Sequence, residues 1–542
     1  MKSHVTTPNT QNNFHLLILL ILLCQNLVHA QISANDFVTT WKTDNPSTLD
    51  NLTIKIPVLS NSFVYDYDVD WDNDGNFDDL GVTGEITHSY STPGTYTVRI
   101  RGQFPSIAIN NDSDVEEKII SVEQWGNIQW QSMLAAFRGA SNLVINAIDV
   151  PDLSNVDTLF AMFEDATSFN QNINSWDVST IEKMQFVFHN ATSFNQPLNN
   201  WNVGNVDNMQ EMFSGAISFN QNIDSWNVSN VVNMKEMFFD AESFDQPLNS
   251  WDVSNVTNME KMFAFTPPPP FGGPSFDTFN HAINQWDVSN VTNMRGMFQH
   301  SQSFNQPLND WDVSSVIFMS SMFLSSDSFN QPLNNWDVSN VTDMGGMFAN
   351  TESFNQPLND WDVSNVTFMD FMFDFADVFD QPLDNWNVEN VTTMERMFTS
   401  LTLSTENYDT TLNSWANQAL QSNVEFHGGN SNYCNSETAR NTLINTFGWI
   451  ITDGGLDCSG LSISDFSQED LRIYPNPVKD QLHIDYNLGD IDFIEIYSLE
   501  GKLIKAEQAE NNKVDFGLFD DGIYLLKFHK NNQTVIKKLI KK

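Results

Sequence analysis

"SFNQPLNNWDVSNVTDMGGMF" runs from Ser328 to Phe348, and 25 residues on it returns as "SFNQPLNDWDVSNVTFMDFMF", Ser353 to Phe373. Trp residues carry this period along the chain. Trp176, Trp201, Trp226, Trp251, Trp286, Trp311, Trp336, Trp361 and Trp386 are spaced by 25, except for one step of 35 around "TPPPPFGGPS", Thr266 to Ser275. A fixed period of this size means one supersecondary unit per repeat, unable to bury its apolar face without its neighbours. The Phe residues that close each unit, from Phe163 to Phe398, count ten copies. A worn copy, "MLAAFRGA" at Met133 to Ala140, precedes them as a terminal unit would.

Inside the unit the apolar rhythm changes. Trp336 and Val338 alternate with Asp337 and Ser339, the period of two of a very short strand. Val341, Met344 and Phe348, joined in a sister copy by Ala216, fall at the three- and four-residue spacings of a short helix, with Ser339 or Asn340 placed to cap it. "SFNQPLNN" then returns the chain through a turn in which Phe329 and Leu333 are buried and Pro332 holds an extended corner. The expected fold class is α/β: a solenoid of about ten 25-residue repeats, short parallel strands plus short helices, stacked about 4.8 Å apart. The Trp, Met and Phe stripe reads as packed core rather than a cofactor pocket. Recurring Asn residues such as Asn255, Asn290, Asn340 and Asn365 read as ladders that satisfy backbone groups at turns.

Composition bounds the partners. Against 69 Asp and Glu stand 24 Lys and Arg, a net charge of −45, which argues against nucleic acid or an anionic membrane. With 42 Phe and 15 Trp the chain is too rich in apolar residues for a disordered acidic tail. "FHLLILLILLC", Phe14 to Cys24, has the length of a signal-peptide core, and "VHA" before Gln31 offers a cleavage site, so residues 1–30 are expected to direct export. No later run is long and apolar enough to span a membrane. Once that segment is removed, only Cys434 and Cys458 remain. In an exported chain they most simply form one disulfide, worth about 3 kcal/mol for a loop of this length. A Cys nucleophile, the other reading, has no persuasive His partner.

The flanks differ from the array. Asn35 to Val122 is turn-rich and β-rich, without repeats. In its "VDWDNDG", Val69 to Gly75, Asp70, Asp72 and Asp74 take positions one, three and five of a calcium loop. Gly81 stands at position twelve, where such a loop wants a bidentate acid, so Ca²⁺ binding and a solvated acidic turn both remain open. At the other end Ser464 to Lys542 carries 11 of the 24 basic residues, against five between Pro151 and Asn430. Its phrases "RIYPNPVKDQLHI", "IEIYSLEGKLI" and "GIYLLKF" alternate apolar and polar residues between turns, as in a small β-sandwich.

Three resemblances follow from these phrases. The repeat "WDVSNVTDMGGMF" resembles that of BspA-type leucine-rich-repeat surface proteins over roughly Trp125 to Cys458, which implies an exterior protein of adhesion rather than catalysis. "VDWDNDG" with "ITHSYSTPGTYTVRI", Ile86 to Ile100, resembles a PKD-like β-sandwich. The segment from Ser464 resembles the C-terminal sorting domain of type IX secretion cargo, which implies passage across an outer membrane and release or attachment at the cell surface. The expected organisation is a signal peptide at 1–30, a PKD-like sandwich at 35–124, the repeats with caps at 125–458 and a sorting sandwich at 464–542.

No motif proposes a reaction: G-x-S-x-G, H-E-x-x-H and a phosphate-cradling Gly loop are absent from the sequence. The expected function is therefore binding, as an adhesin for an extracellular protein or glycan, with an extracellular polysaccharide-active enzyme or a structural surface-layer spacer as alternatives. Within the array Asp252, Asp287, Asp312, Asp337 and Asp362 each follow their Trp, and alternation points them away from the core. Stacked carboxylates repel, so this face is expected to bind a cation or a basic partner, or else to be a solvated face screened by salt.

Overall fold

The computed structural model describes residues 33–59, 61–267, 277–459, 471–486, 493–499, 501–507, 513–530 and 533–542. The expected signal segment and most of the Pro-rich insertion lie outside the described residues. The chain divides into two compact units, Met1–Leu456 and Asp457–Lys542.

The first unit opens with eight strands: β1 (Phe37–Lys42), β2 (Thr53–Ile56), β3 (Asp66–Asp70), β4 (Asp79–Val82), β5 (Ile86–Ser89), β6 (Thr95–Gln103), β7 (Ile119–Gln124) and β8 (Val144–Ile145). Six of them form a sheet in the order β4-β3-β6-β1-β7-β8, and β2 pairs with β5. The β7–β8 pairing is parallel, Ser121 opposite Val144, and carries the sheet directly into the first repeat. One hydrophobic core runs from Phe37 to Trp449, with Trp125 stacked 5.7 Å from Phe37 and edge-on to Trp176 at 5.4 Å. The core of the N-terminal strands is thus continuous with that of the repeats.

The repeats also depart from expectation. The α/β solenoid of short strands plus short helices does not form, because among the described residues the repeats contain neither. Among the described residues the α-helices are α1 (Thr405–Trp415) and α2 (Glu437–Phe447), both after the last repeat. What the expected strand becomes is a single-residue parallel bridge. It sits not at Trp336 but seven residues later, at Asp343, and successive bridges link Thr158, Lys183, Asn208, Asn233, Asn258, Asn293, Phe318, Asp343, Phe368 and Thr393. The expected helix is a run of turns. Every copy but the one holding Lys261, which has that one alone, carries left-handed residues at two points four residues apart, as at Glu211 (φ 53°) and Gly215 (φ 67°) or Phe371 (φ 59°) and Phe375 (φ 56°). A left-handed residue cannot continue a right-handed helix, so the three- and four-residue apolar spacing is met by consecutive turns instead.

This backbone sends its hydrogen bonds between copies. The amides of Met344, Gly346, Phe348 and Asn350 donate to the carbonyls of Phe368, Asp370, Met372 and Asp374 at 2.7 to 3.0 Å. The amides of Met347 and Ala349 close local turns onto Met344 and Gly346. Side chains complete the scheme. Trp336 Nε1 donates to the Leu308 carbonyl (2.9 Å) and Asn340 Nδ2 to that of Ser314 (2.7 Å). Asn330 Oδ1 accepts from the Asn355 amide (3.1 Å) and from Gln356 Nε2 (2.8 Å). Each apolar side chain lies on its own copy: Phe348 is 5.7 Å from both Phe323 and Phe373, and Trp336 is 6.3 Å from Trp361.

Both ends of the ladder are closed by non-repeat chain. The amides of Ile109 and Asn111 donate to the carbonyls of Ala136 and Arg138 in the worn first copy. At the other end Met394 bridges to Phe426 in β9 (Glu425–His427), which pairs with β11 (Ile450–Thr452) beside the pair β10 (Asn432–Tyr433) and β12 (Gly455–Leu456). The buried Asp409 carboxylate of α1 accepts from the amides of Cys434 (3.0 Å), Asn435 (2.8 Å) and Ser436 (3.0 Å). Cys434 and Cys458 are both disulfide-bonded.

In the second unit β13 (Leu471–Tyr474), β14 (Gln481–Tyr486) and β17 (Lys513–Asp515) form one antiparallel sheet. A second, in the order β16-β15-β18-β19, joins Leu503–Glu507, Phe493–Ser498, Gly522–Lys530 and Gln533–Lys541. Leu482, Ile484, Ile494, Ile496, Leu526 and Phe528 share their core.

Candidate binding face

Three side chains per copy project from the bridge and the two left-handed positions. In most copies they are polar or small: Asn208, Glu211 and Gly215, then Asn233, Glu236 and Asp240. Phe186 is one exception, and the copies that begin at Val316 and Val366 depart furthest. Phe318 (39%), Phe368 (50%), Phe371 (37%) and Phe375 (43%) stand exposed there. A bulky residue with positive φ is sterically disfavoured, and Phe371 and Phe375 both adopt it while presenting rings to water. Large apolar side chains gathered on a surface mark interaction sites.

Between these aromatic copies lies a groove of about 460 Å³, lined among others by Ser321, Gly345, Gly346, Asn350, Asp370 and Phe371. Its floor is a missing row of side chains. Sister copies place Gln210 and Glu211, or Lys235 and Glu236, where this copy has Gly345 and Gly346. A Cβ on Gly346 would meet only the Ser321 hydroxyl, at 3.5 Å, so the space above it is open.

Two arginines flank the groove. Arg295 pairs with Asp343 (2.9 Å) and lies 5.6 Å above the Phe318 ring; Arg396 pairs with Asp374 (2.9 Å) and lies 5.0 Å above Phe371. Asp370 accepts from the Glu395 amide (2.9 Å) and from the Thr393 hydroxyl. Burial pushes the Asp374 carboxyl above the usual carboxylate range, with Arg396 opposing that shift. Its Oδ1, beside the Thr399 hydroxyl, is buried and receives no well-directed hydrogen bond.

The acids singled out in the sequence each brace a turn. Asp252, Asp287, Asp312, Asp337 and Asp362 are all exposed, and each Oδ1 accepts from the amide two residues on, at Ser254, Ser289, Ser314, Ser339 and Ser364, at 3.0 to 3.1 Å. Asn227 and Asn387 take the same bond with their amide oxygens. An acceptor oxygen is what the position needs, and Asn supplies it as well as Asp does. Hydrogen bonds from the Ser254 and Ser314 hydroxyls, then from the amides of the same residues, hold Asp252 and Asp312 below the usual carboxylate range.

In the N-terminal strands, the carboxylates that converge within 4.8 Å are Asp70, Asp72 and Asp78. Asp74 turns its side chain to the Asn76 amide (2.7 Å), while its own amide lies 3.3 Å from both Asp70 and Asp72. Asp70 is buried and also accepts from the Gly75 amide (2.9 Å). Burial, then the charges of Asp74, Asp70 and Asp78, raise the Asp72 pKa. Three convergent carboxylates are donors a hard cation takes, and the same oxygens organise the loop through backbone amides.

Sequence reading did not single out Phe318, Phe368, Phe371, Phe375, Gly345 or Gly346. The signal was present as departure from the repeat at solvent-facing positions, visible only once the left-handed positions identify which side chains face out.

A ladder of near-identical copies with one divergent exposed face defines a tandem-repeat surface protein. Residues 108–216, 197–267, 274–341 and 332–438 match the family described as Mycoplasma protein of unknown function, DUF285. These segments cover more than half of the chain, which belongs to that family. Residues 472–542 match a secretion system C-terminal sorting domain of the type IX kind. The protein is thus secreted, at the cell surface or attached to the outer membrane, and engages the secretion machinery through this domain. Among the described residues no helix is long and apolar enough to cross a membrane. No curated protein matches the chain.

Proposed function

We propose that this protein is a non-catalytic binding module which acts in adhesion, through the face formed by the copies between Val316 and Ala376. One observation carries the reading: four exposed Phe rings stand on the copies between Val316 and Ala376, and one of them, Phe371, lines a groove over Gly345 and Gly346. The N-terminal strands and the α1–β12 segment close the ladder at its ends, leaving that face as the place where the copies diverge. In this reading export by the sorting domain brings the face to its partner outside the cell.

The test is retention of displaying cells on immobilised extracellular proteins and glycans. The comparison variant carries F318N, F368N, F371E and F375N, residues that sister copies already hold at these positions. Retention of the parent should fall to background in the variant at equal display. Equal retention of the two would overturn the reading and favour a structural spacer.

A further inference from the structure

We infer that the occupant of the groove above Gly345 and Gly346 is an uncharged, hydroxyl-rich glycan strand. This deepens the binding reading and rests on it.

The first argument is charge. Only five Lys and Arg residues lie between Pro151 and Asn430, and two of them, Arg295 and Arg396, flank this groove. They neutralise Asp343 and Asp374 and lie over the rings of Phe318 and Phe371. A basic peptide would find those carboxylates already paired and one face of each ring already covered by a guanidinium group. An anionic partner would meet Asp370 in the lining and a chain of net charge −45. Neither sign of charge gains at this site, so the complementary ligand is neutral.

The second argument is the mixture of surfaces. Phe371, one face of which Arg396 covers, adds an aromatic ring to the lining, a surface that suits the C–H face of a saturated ring. Ser321, Asn350 and Asp370 place a hydroxyl, an amide and a carboxylate around the same volume. Apolar walls with a few convergent polar groups are how small-ligand sites fix orientation, and a pyranose presents both kinds of surface at once. The groove is lined by three successive copies and opens over Gly345 and Gly346, where a Cβ would meet nothing closer than 3.4 Å. Its volume of about 460 Å³ suits a short stretch of sugar rings.

The experiment is isothermal titration of the full exported protein with cello-, laminari-, manno-, xylo- and chitohexaose, alongside a polylysine peptide and a sulfated heparin hexasaccharide. At least one neutral hexaose should bind with an affinity that high salt leaves unchanged, and the double variant G345Q/G346E should weaken it at least tenfold. That variant restores the Gln210 and Glu211 of a sister copy, whose Glu occupies the same left-handed conformation, so the fold tolerates it. As an independent reading, the bound hexaose should slow amide exchange at residues 345–350 and 370–375 of the unmodified protein. Binding of no neutral hexaose, binding that G345Q/G346E does not weaken, binding without that protection, or binding of only the basic or sulfated probe would each overturn the inference. If cell retention is lost in the four-Phe variant while no hexaose binds, the glycan assignment fails and the binding reading stands.

Discussion

The copy from Val206 to Ala216 and the copy from Val366 to Ala376 share every inward residue: Val, Met, Met, Phe and Ala. Their backbones bond alike. Met209 and Met369 donate to the next copy at 3.0 and 3.1 Å, Glu211 and Phe371 at 2.9 and 2.8 Å, and Phe213 and Phe373 both at 2.9 Å. Outward, Asn208, Glu211 and Gly215 in one become Phe368, Phe371 and Phe375 in the other. The inward set and the amide ladder therefore fix the conformation, and even a left-handed position accepts Glu, Gly or Phe once they do. Local preference yields to packing here, leaving the outward positions free to carry function.

The comparison breaks first where copies touch. Trp336→Ala removes a ring stacked on Trp361 and an indole N–H bonded to Leu308, and should cost about 3–5 kcal/mol in chemical denaturation. A loss below about 1 kcal/mol would mean that neighbouring copies do not depend on one another through this contact. A smaller effect is expected at the turn ladder. Asn355→Ala leaves the Asp380 amide and Gln381 Nε2 without the acceptor that now holds them at 3.0 and 2.8 Å, a cost of about 1–2 kcal/mol.

Acidity sharpens the difference between buried and exposed acids. Burial, then the charges of Glu352 and Asp277, push Asp327 up to about 6. A carboxyl whose folded pKa exceeds its unfolded one takes up a proton on folding between the two values, so lowering the pH from 7 towards 4 should stabilise the array through this group. Asp327→Asn should raise the melting temperature at pH 7 and flatten that pH dependence. An unchanged slope would show that Asp327 is not its source.

The smallest effects belong to the outward positions. Asp312→Asn keeps the acceptor for the Ser314 amide and should change stability by less than about 0.5 kcal/mol, whereas Asp312→Ala should cost up to about 1 kcal/mol. If Asp312→Asn instead stabilises strongly at low salt, repulsion along the acidic row outweighs its turn bonds. Phe371→Glu should also leave stability within about 0.5 kcal/mol while removing a wall of the groove.

Much of this architecture was legible in the letters. The period is written in the Trp positions, and the inward set of Trp, Val, Met and Phe follows from it because the same register recurs whatever the local conformation. The Asn ladders were legible too, since a buried turn must find acceptors and donors somewhere. The local conformation was not. Val341, Met344 and Phe348 have the spacing of a helix, and a run of turns with left-handed residues at Gly346 and Asn350 buries the same side chains. Phe at positions 371 and 375 gives no hint of positive φ, which Gly or Asn would have supplied.

Sequence by itself determined the repeat, its buried residues, the acidic balance and the change of composition at the sorting domain, because each depends on residue type and spacing along one chain. Only the tertiary structure decided where the amides of each copy find their carbonyls, and which side chains those bonds turn outward. It also decided the groove, for Gly345 and Gly346 belong to one copy and Phe371 to the next. A void bounded by neighbours 25 residues apart has no signature in any single repeat; it arises when stacking sets an absent side chain beside a large one.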